Sequence, residues 1–154
     1  MERTEWALER KHSLGLNCCQ AVLLAFSAEI LEHWGVKEGE SADTAQKALV
    51  ALGSGFGSGM GCGEATCGAL VGAGMVAGLL NSGEEKQRVP AVLLTRDICK
   101  KFKERAGALR CSDIKGIKTD PVTGKITHGK ILCSCDDCVR HAINLCEERC
   151  FGEG

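Results

Sequence analysis

The sequence contains 11 cysteines in 154 residues, and several of them lie in short clusters. The clusters are the adjacent pair Cys18 and Cys19, the pair Cys62 and Cys67, and the C-terminal run Cys133, Cys135 and Cys138. Closely spaced thiolates can share a metal ion or an iron-sulfur cluster, or they can exchange electrons by forming disulfides. The sequence therefore indicates thiolate chemistry, either metal binding or redox.

The C-terminal C-x-C-x-x-C run is a compact chelating pattern, because gaps of one and two residues can turn several sulfurs towards one centre. Iron and zinc usually take four thiolates, so this run needs a further ligand. The candidates for that ligand are Cys19, Cys67 and Cys111. The other cysteines, Cys99, Cys146 and Cys150, occur singly on helical patterns, where cysteine most often acts as a small apolar residue.

Composition predicts a single soluble domain over residues 1–154, because 44% hydrophobic and 25% charged residues suffice to bury a core. The N-terminal segment alternates acids and bases and lacks the long apolar run of a signal peptide, so we expect a cytoplasmic protein. Thiols there are kept reduced, which favours metal binding or redox cycling over structural disulfides. The net charge of -1 predicts no nucleic-acid partner.

Other kinds of site are not favoured. The glycine-rich stretch over residues 53–63 completes neither a G-x-x-x-x-G-K-[ST] nor a G-x-G-x-x-G motif, so nucleotide binding is not predicted. The four histidines are scattered and form no zinc-finger spacing. No Ser-His-Asp arrangement or paired-carboxylate site stands out.

Apolar residues recur every three or four positions, which predicts an all-α fold: a compact bundle of about five helices. In the first helix Cys19 faces the core, while Cys18 lies about 100° round the helix, on its flank. Asn17 and Gln20 resemble a capping box, so the helix begins there or, alternatively, at Ser13. A second helix is predicted over residues 41–52.

Residues 53–63 contain too many glycines for a stable helix, since each costs about 1 kcal/mol relative to alanine. We expect a loop there whose backbone approaches another group closely. A central helix of small and apolar residues is predicted over residues 64–80, and it is shorter than the roughly 20 residues that span a membrane. No membrane insertion is therefore expected.

The C-terminal half is predicted to hold two helices and an irregular excursion. The fourth helix runs from near Pro90 to a stop at Gly107. Residues 113–131 carry turn signals and only thin strand character, so an irregular excursion or small hairpin is expected. The last helix begins at Asp136 or Asp137.

Several cysteines fall near predicted helix starts: Cys18, Cys19, Cys67 and Cys138. Free backbone N–H groups and the positive end of the helix dipole favour the thiolate there. The nearby carboxylates of Glu64, Asp136 and Asp137 oppose this effect if they point towards the sulfurs.

In order and context, the motifs resemble those of the C_GCAxxG_C_C family of redox-active proteins over residues 13–145. The motifs are Asn17-Cys18-Cys19-Gln20-Ala21-Val22, the glycine run into Gly61-Cys62-Gly63, Cys67-Gly68-Ala69-Leu70, Arg110-Cys111 and Cys138-Val139. Two positions depart from the pattern: Gly63 stands where the family name gives alanine, and Thr66 stands where its last glycine would fall.

The resemblance implies a small, mainly helical redox domain of a kind found chiefly in anaerobic microbes, without an established substrate. It also implies a common set of functional cysteines, to which Cys18, Cys133 and Cys135 are additions in this chain. The common set is Cys19, Cys62, Cys67, Cys111 and Cys138.

We expect an electron carrier in which four thiolates from this set and the C-terminal run ligate an iron-sulfur cluster, while loop N–H groups approach the cluster sulfur. Such a carrier needs a redox partner protein, and the small-residue helix could form a homodimer. One alternative is cofactor-free thiol-disulfide exchange, through Cys62 and Cys67 or through Cys18 and Cys19. Another is a zinc-binding structural or assembly module.

Overall fold

A computed structural model describes residues 2–82 and 88–152, most of which are helical. The helices are α1 (Arg3–Leu14), α2 (Cys18–Ala25), α3 (Ser27–His33), α4 (Glu40–Leu52), α5 (Gly57–Met60), α6 (Gly68–Leu80), α7 (Arg88–Ala106), α8 (Cys111–Lys115) and α9 (Cys135–Cys146). The strands are β1 (Ile117–Thr119) and β2 (Ile126–His128). A 3-10 turn, Ser54–Phe56, precedes α5, and a π-helical turn, Glu147–Phe151, follows α9. The predicted all-α class is confirmed.

The helices outnumber the five or so that the sequence predicts. Helix α1 is not among the predicted ones, although its Ala7 and Leu8 are buried against the core. The first predicted helix is divided, because α2 ends at Ala25 and α3 begins at Ser27. The short helices α5 and α8 were also not predicted.

Helices α2 and α6 are the apolar centre of the bundle, and α6 also packs against α7 and α9. Gly72 allows α2 and α6 to approach closely, since a Cβ atom at this position would lie 2.9 Å from Val22 Cβ and 3.0 Å from the Cys19 carbonyl oxygen. The largest fully buried side chains around this contact include Phe26, Phe102, Leu23, Ile98 and Ile143.

The start of α2 agrees with the sequence. Asn17 caps the helix, and its side chain and that of Gln20 each accept a hydrogen bond from the other residue's backbone N–H. Cys19 is fully buried in the core, as predicted. Cys18 is half-buried on the neighbouring flank.

The glycine-rich stretch is a loop of tight turns. Ser58, Gly59 and Met60 have positive φ angles of 52°, 61° and 59°, so α5 is a single left-handed turn. The predicted close approach is confirmed, because a Cβ at Gly57 would lie 2.7 Å from Asn17 Cβ and one at Gly59 would lie 2.7 Å from Cys111 Cβ.

Helix α6 begins at Gly68, later than predicted. The residues before α6 form backbone contacts with the chain before α8 instead of a helical turn. Cys67 N donates to Leu109 O, and Thr66 pairs with Arg110 in an isolated β-bridge. These long-range backbone bonds replace the helical turn that local sequence favours from Glu64. The sequence before α6 contains no sign of them.

The expected excursion is a small hairpin, in which β1 pairs with β2 in antiparallel register and Lys118 lies opposite Thr127. The last helix, α9, begins at Cys135, one residue before the predicted start, and Ser134 caps it by accepting from Asp137 N. No helix in the described part of the chain is long and apolar enough to cross a membrane.

Two glycines of α6 give a matched test of the α2–α6 contact. Replacing Gly72 by alanine places a methyl group against Val22 and the α2 backbone, so we expect the free energy of unfolding in urea to fall by about 1–3 kcal/mol. Gly78 is the control, because a Cβ added there would meet nothing within 4 Å. Gly78→Ala should raise the free energy by about 0.5–1 kcal/mol. Equal effects at both positions would contradict the packing argument.

Candidate functional site: a cysteine-lined cavity

A cavity of about 80 Å³ lies at one end of the bundle, where the N-termini of α2, α6, α8 and α9 meet. Six cysteines line it: Cys18, Cys67, Cys111, Cys133, Cys135 and Cys138. The other lining residues are Asn17, Ser58, Gly68, Ile114 and Lys115. Five of the seven sequence-predicted metal ligands are therefore brought together here, with Cys18 as a sixth thiol.

Helix starts supply most of these sulfurs. Cys18, Cys111 and Cys135 are the first residues of α2, α8 and α9, and Cys67 immediately precedes α6. The first turns of helices leave backbone N–H groups without helical partners, and their dipoles place partial positive charge at this end. These groups favour thiolates at the cavity, against the opposing effect of burial.

Backbone hydrogen bonds fix one wall of the cavity. Cys67 N donates to Leu109 O at 2.8 Å, and Cys111 N donates to Ala65 O at 3.0 Å. These bonds join the chain before α6 to the chain before α8. They therefore hold Cys67 and Cys111 side by side although 44 positions separate them in the sequence.

The glycine-rich loop forms another wall. Asn17 Nδ2 donates to the carbonyl oxygens of Gly53 at 3.1 Å and Ser54 at 3.0 Å, which ties the loop to the start of α2. Ser58 lines the cavity from a left-handed conformation that costs roughly 1–2 kcal/mol for a residue with a Cβ. Such strain persists where surrounding contacts fix the backbone, often at functional sites.

Helix α1 contacts the start of α9 beside the cavity. Lys11 Nζ lies 3.0 Å from Asp136 Oδ1, and His12 Nε2 lies 2.7 Å from Asp136 Oδ2. These contacts fasten α1 to the first turn of α9, next to Cys135. They also engage the Asp136 carboxylate, which opposes thiolate formation at Cys135, with the Lys11 ammonium group and the His12 ring.

One pair of thiols, Cys67 and Cys138, shares a hydrogen bond. The bond from the Cys138 thiol lowers the pKa of Cys67 to about 7, against the effect of burial and with help from the N–H groups of Ala69 and Leu70. The same bond, together with burial, raises the pKa of Cys138. Near neutral pH this pair therefore holds one proton and one negative charge.

A second pair, Cys18 and Cys135, behaves in the same way. The hydrogen bond from the Cys18 thiol lowers the pKa of Cys135 to about 6, against burial and with support from the charges of Lys115 and Lys11. That bond and burial raise the pKa of Cys18. Cys135 is exposed, so its thiolate is open to reagents.

The two remaining cavity thiols stay protonated. Burial raises the pKa of Cys111 and of Cys133. Lys115 supplies a positive charge beside them: burial lowers the pKa of its ammonium group, but the Cys135 thiolate, together with the neighbouring sulfurs of Cys111 and Cys18, outweighs this and raises it. Lys115 was not predicted as a site residue, and nothing in the sequence around it marks it.

Two predicted site residues lie outside the cavity. Cys19 points into the core, where its sulfur lies 3.9 Å from Met75 Sδ and burial raises its pKa to about 11. Cys62 is exposed on the glycine-rich loop, and its thiol donates to the Gly59 carbonyl oxygen at 3.3 Å. Cys18 lines the cavity and Cys19 does not, because Cys18 lies on the flank of α2 whereas Cys19 faces the core.

The three single cysteines are also elsewhere. Cys146 is buried in the core against the Ala73 carbonyl oxygen, and Cys99 is partly buried on α7. A hydrogen bond from Cys146 lowers the pKa of Cys150. None of these three lines the cysteine cavity.

Among the residues that the structure describes, no group of three or more Cys, His, Asp or Glu side chains has the arrangement of ligands around a single metal ion. The six thiols instead surround a space.

The low pKa of Cys135 gives a test on the reduced, metal-free protein. We expect iodoacetamide to modify Cys135 with a half-maximal rate near pH 6, whereas an ordinary thiol requires a pH of about 8.5. Lys115→Met should move this midpoint upward, because it removes a charge that favours the thiolate. Lys118→Met, on the exposed hairpin, is the control. Mass spectrometry of alkylated peptides, sampled across a range of pH, measures the midpoint in the wild type and in each variant. A wild-type midpoint near pH 8.5 would refute the lowered pKa of Cys135.

The family model described as "Putative redox-active protein (C_GCAxxG_C_C)" matches residues 16–149 of the chain. This range includes all six cavity cysteines. Neither the comparison with curated proteins nor that with solved structures gave a match.

Proposed function

The chain belongs to the C_GCAxxG_C_C family of redox-active proteins, and we propose that its cysteine cavity binds an iron-sulfur cluster and serves electron transfer. The observation that carries this proposal is the gathering of six thiols around one cavity. Iron-sulfur clusters are usually held by four cysteine thiolates, so the donor set fits the group with two thiols to spare.

Four cysteines are the proposed ligands: Cys67, Cys111, Cys135 and Cys138. Cys67 and Cys135 have lowered pKa values and supply thiolates near neutral pH. Cys111 and Cys138 lie in the family motifs and on the same cavity. The other two cavity thiols are neighbours of the ligands. Cys18 donates a hydrogen bond to Cys135, and Cys133 interacts with Cys138.

A bound cluster would supply one-electron chemistry. The residues of the chain would hold it and balance its charge. Lys115 and the N-terminal ends of the four helices would offset the negative charge of the thiolates. Ile114 and Gly68 would form an apolar, closely packed part of the cavity wall. Hydrogen bonding and solvent exposure of this kind tune the reduction potential of a cluster.

The proposal extends to the setting of the protein. Free thiolates persist in a reducing compartment, so it includes a cytoplasmic location. It also includes a redox partner protein, and a role as an electron carrier rather than a stand-alone enzyme. A homodimer through α6 stays a prediction; within one chain, α6 already packs against α2, α7 and α9.

The cluster is tested directly by measuring iron and acid-labile sulfide in the protein. The protein is expressed with added iron and purified without oxygen. We expect stoichiometric iron and sulfide with visible absorption that bleaches on reduction. Protein with neither iron nor sulfide would reject the cluster, and zinc without sulfide would favour a structural or assembly module.

Serine variants identify the ligands. Changing Cys67, Cys111, Cys135 or Cys138 to serine should weaken iron binding by at least about tenfold, because a hydroxyl is a poor ligand for iron in a cluster. Cys62→Ser is the matched control, since Cys62 is exposed and does not line the cavity. Full iron content in all four variants would refute this ligand set.

A second candidate function is dithiol-disulfide exchange without a cofactor. It is favoured by the two hydrogen-bonded thiol pairs, Cys18 with Cys135 and Cys67 with Cys138, because each combines a low-pKa thiolate with a protonated partner. Loss of two electrons and the one remaining proton to an oxidised partner would convert either pair to a disulfide. These pairs differ from the predicted pairs Cys62–Cys67 and Cys18–Cys19.

Redox-buffer titration of the metal-free protein, followed by thiol labelling, tests this candidate. We expect Cys18 and Cys135 to become oxidised together at one potential, and Cys18→Ser to abolish that transition. Cys99→Ser should leave it unchanged. Cysteines that stay reduced until the protein unfolds would rule out exchange.

A further inference from the structure

Residues 117–132, here called the arm, contribute almost nothing to the core. Every residue from Lys118 to Leu132 is exposed. The two strands of the arm pair over only three residues each, and an isolated hairpin of this size is marginally stable in water. A segment of this length that is not buried needs a role other than packing.

The arm begins and ends at the cysteine cavity. Lys115, two residues before it, and Cys133, immediately after it, both line the cavity. Its base is fixed by backbone hydrogen bonds from Gly129 N to Gly116 O at 2.6 Å and from Leu132 N to Ile114 O at 2.8 Å. The base of the arm therefore adjoins the six thiols, and a partner that binds the arm is tethered at this end of the bundle.

The turn of the arm is also ordered. Asp120 Oδ1 accepts hydrogen bonds from Val122 N at 2.8 Å and Thr123 N at 3.0 Å. Gly124 N donates to Asp120 O at 2.9 Å, and Asp120 N donates to Lys125 O at 2.8 Å. These bonds give the turn a defined backbone conformation.

The arm carries a local positive charge, in contrast to the net charge of -1 of the whole chain. Lys118, Lys125 and Lys130 lie on it, and Asp120 is its one carboxylate, which is engaged by the turn. Within residues 2–82 and 88–152, no acidic side chain forms an ion pair with any of these three lysines. Their charges therefore face solvent without compensation inside the chain.

Large apolar side chains accompany the lysines. Val122, Ile126 and Ile131 are 90%, 56% and 64% exposed. Exposed large apolar residues among charged ones have the composition of a protein interface. A surface that only increased solubility would not present these side chains to water.

We propose that the arm is the docking surface for a redox partner protein whose contact face is acidic with an apolar centre. This inference rests on the proposed function, since an electron carrier must bring its partner close to the cavity. Positive charge on the arm would steer an acidic partner towards the cavity, and charge complementarity governs such encounters more than area does. Redox encounters commonly use small, weak interfaces, which an arm of this size can provide.

The test measures binding rather than electron transfer. The probe is a fluorescently labelled plant-type [2Fe–2S] ferredoxin with an acidic surface, titrated at low ionic strength and followed by anisotropy. The variant Lys118→Gln/Lys125→Gln/Lys130→Gln should bind it roughly tenfold more weakly, because three exposed charge pairs are lost. Its dependence on salt should also become shallower.

A matched control removes the same charge elsewhere. Lys37, Lys47 and Lys100 are exposed and lie outside the arm. The variant Lys37→Gln/Lys47→Gln/Lys100→Gln should bind the probe within about twofold of the wild type, since steering depends on where the charge lies. A third variant, Val122→Ser, should weaken binding without changing its salt dependence, because it removes apolar contact and no charge.

Several results would overturn the inference. They are wild-type affinity in the arm triple variant, an equal loss in the control, and tighter binding of duplex DNA or anionic vesicles than of the ferredoxin. Because anisotropy needs no iron in this protein, the two proposals fail separately. Arm-dependent binding by protein that never contains iron would uphold docking and reject the cluster. Iron-loaded protein whose binding does not depend on the arm would uphold the cluster and reject docking.

Discussion

The structure depends on one electrostatic constraint: several thiols that repel one another as anions share a small cavity. The positive ends of α2, α6, α8 and α9 meet at this cavity, and Lys115 adds a full charge. Hydrogen bonds from the Cys138 and Cys18 thiols lower the pKa of Cys67 and Cys135. The positive groups lower it further, through the N–H groups at the start of α6 for Cys67 and through the charge of Lys115 for Cys135. The arrangement of the bundle, with four helices starting at the same place, is what makes a multi-thiol site possible.

Close backbone packing makes that convergence possible. A Cβ at Gly68 would lie 2.6 Å from the Phe56 carbonyl oxygen, so the first residue of α6 can meet the glycine-rich loop only without a side chain. Gly72, one turn later, allows α6 to lie against α2. The small residues of α6 therefore serve the site as well as the core, because they set how near Cys67 comes to Cys18.

Local signals in the sequence were sufficient for most of the longer helices and for part of the site. The capping box at Asn17 and the helical offset of Cys18 from Cys19 correctly predicted that the Cys19 sulfur is the one buried in the core. The resemblance nevertheless selected Cys19, because a family pattern does not say which of two adjacent cysteines faces the cavity. The start of α6 and the position of Lys115 depend on long-range contacts, such as the Thr66–Arg110 bridge, and these leave no local pattern.

The protonation of the six thiols couples ligand binding to the rest of the fold. Two of them, Cys67 and Cys135, have lowered pKa values, and the other four have raised ones. The metal-free cavity thus holds about two negative charges near neutral pH, which its cationic surroundings can balance. A group that takes four thiolates must displace two further protons, so its binding strengthens as pH rises. Because the six sulfurs come together only in the folded chain, that binding also stabilises the fold.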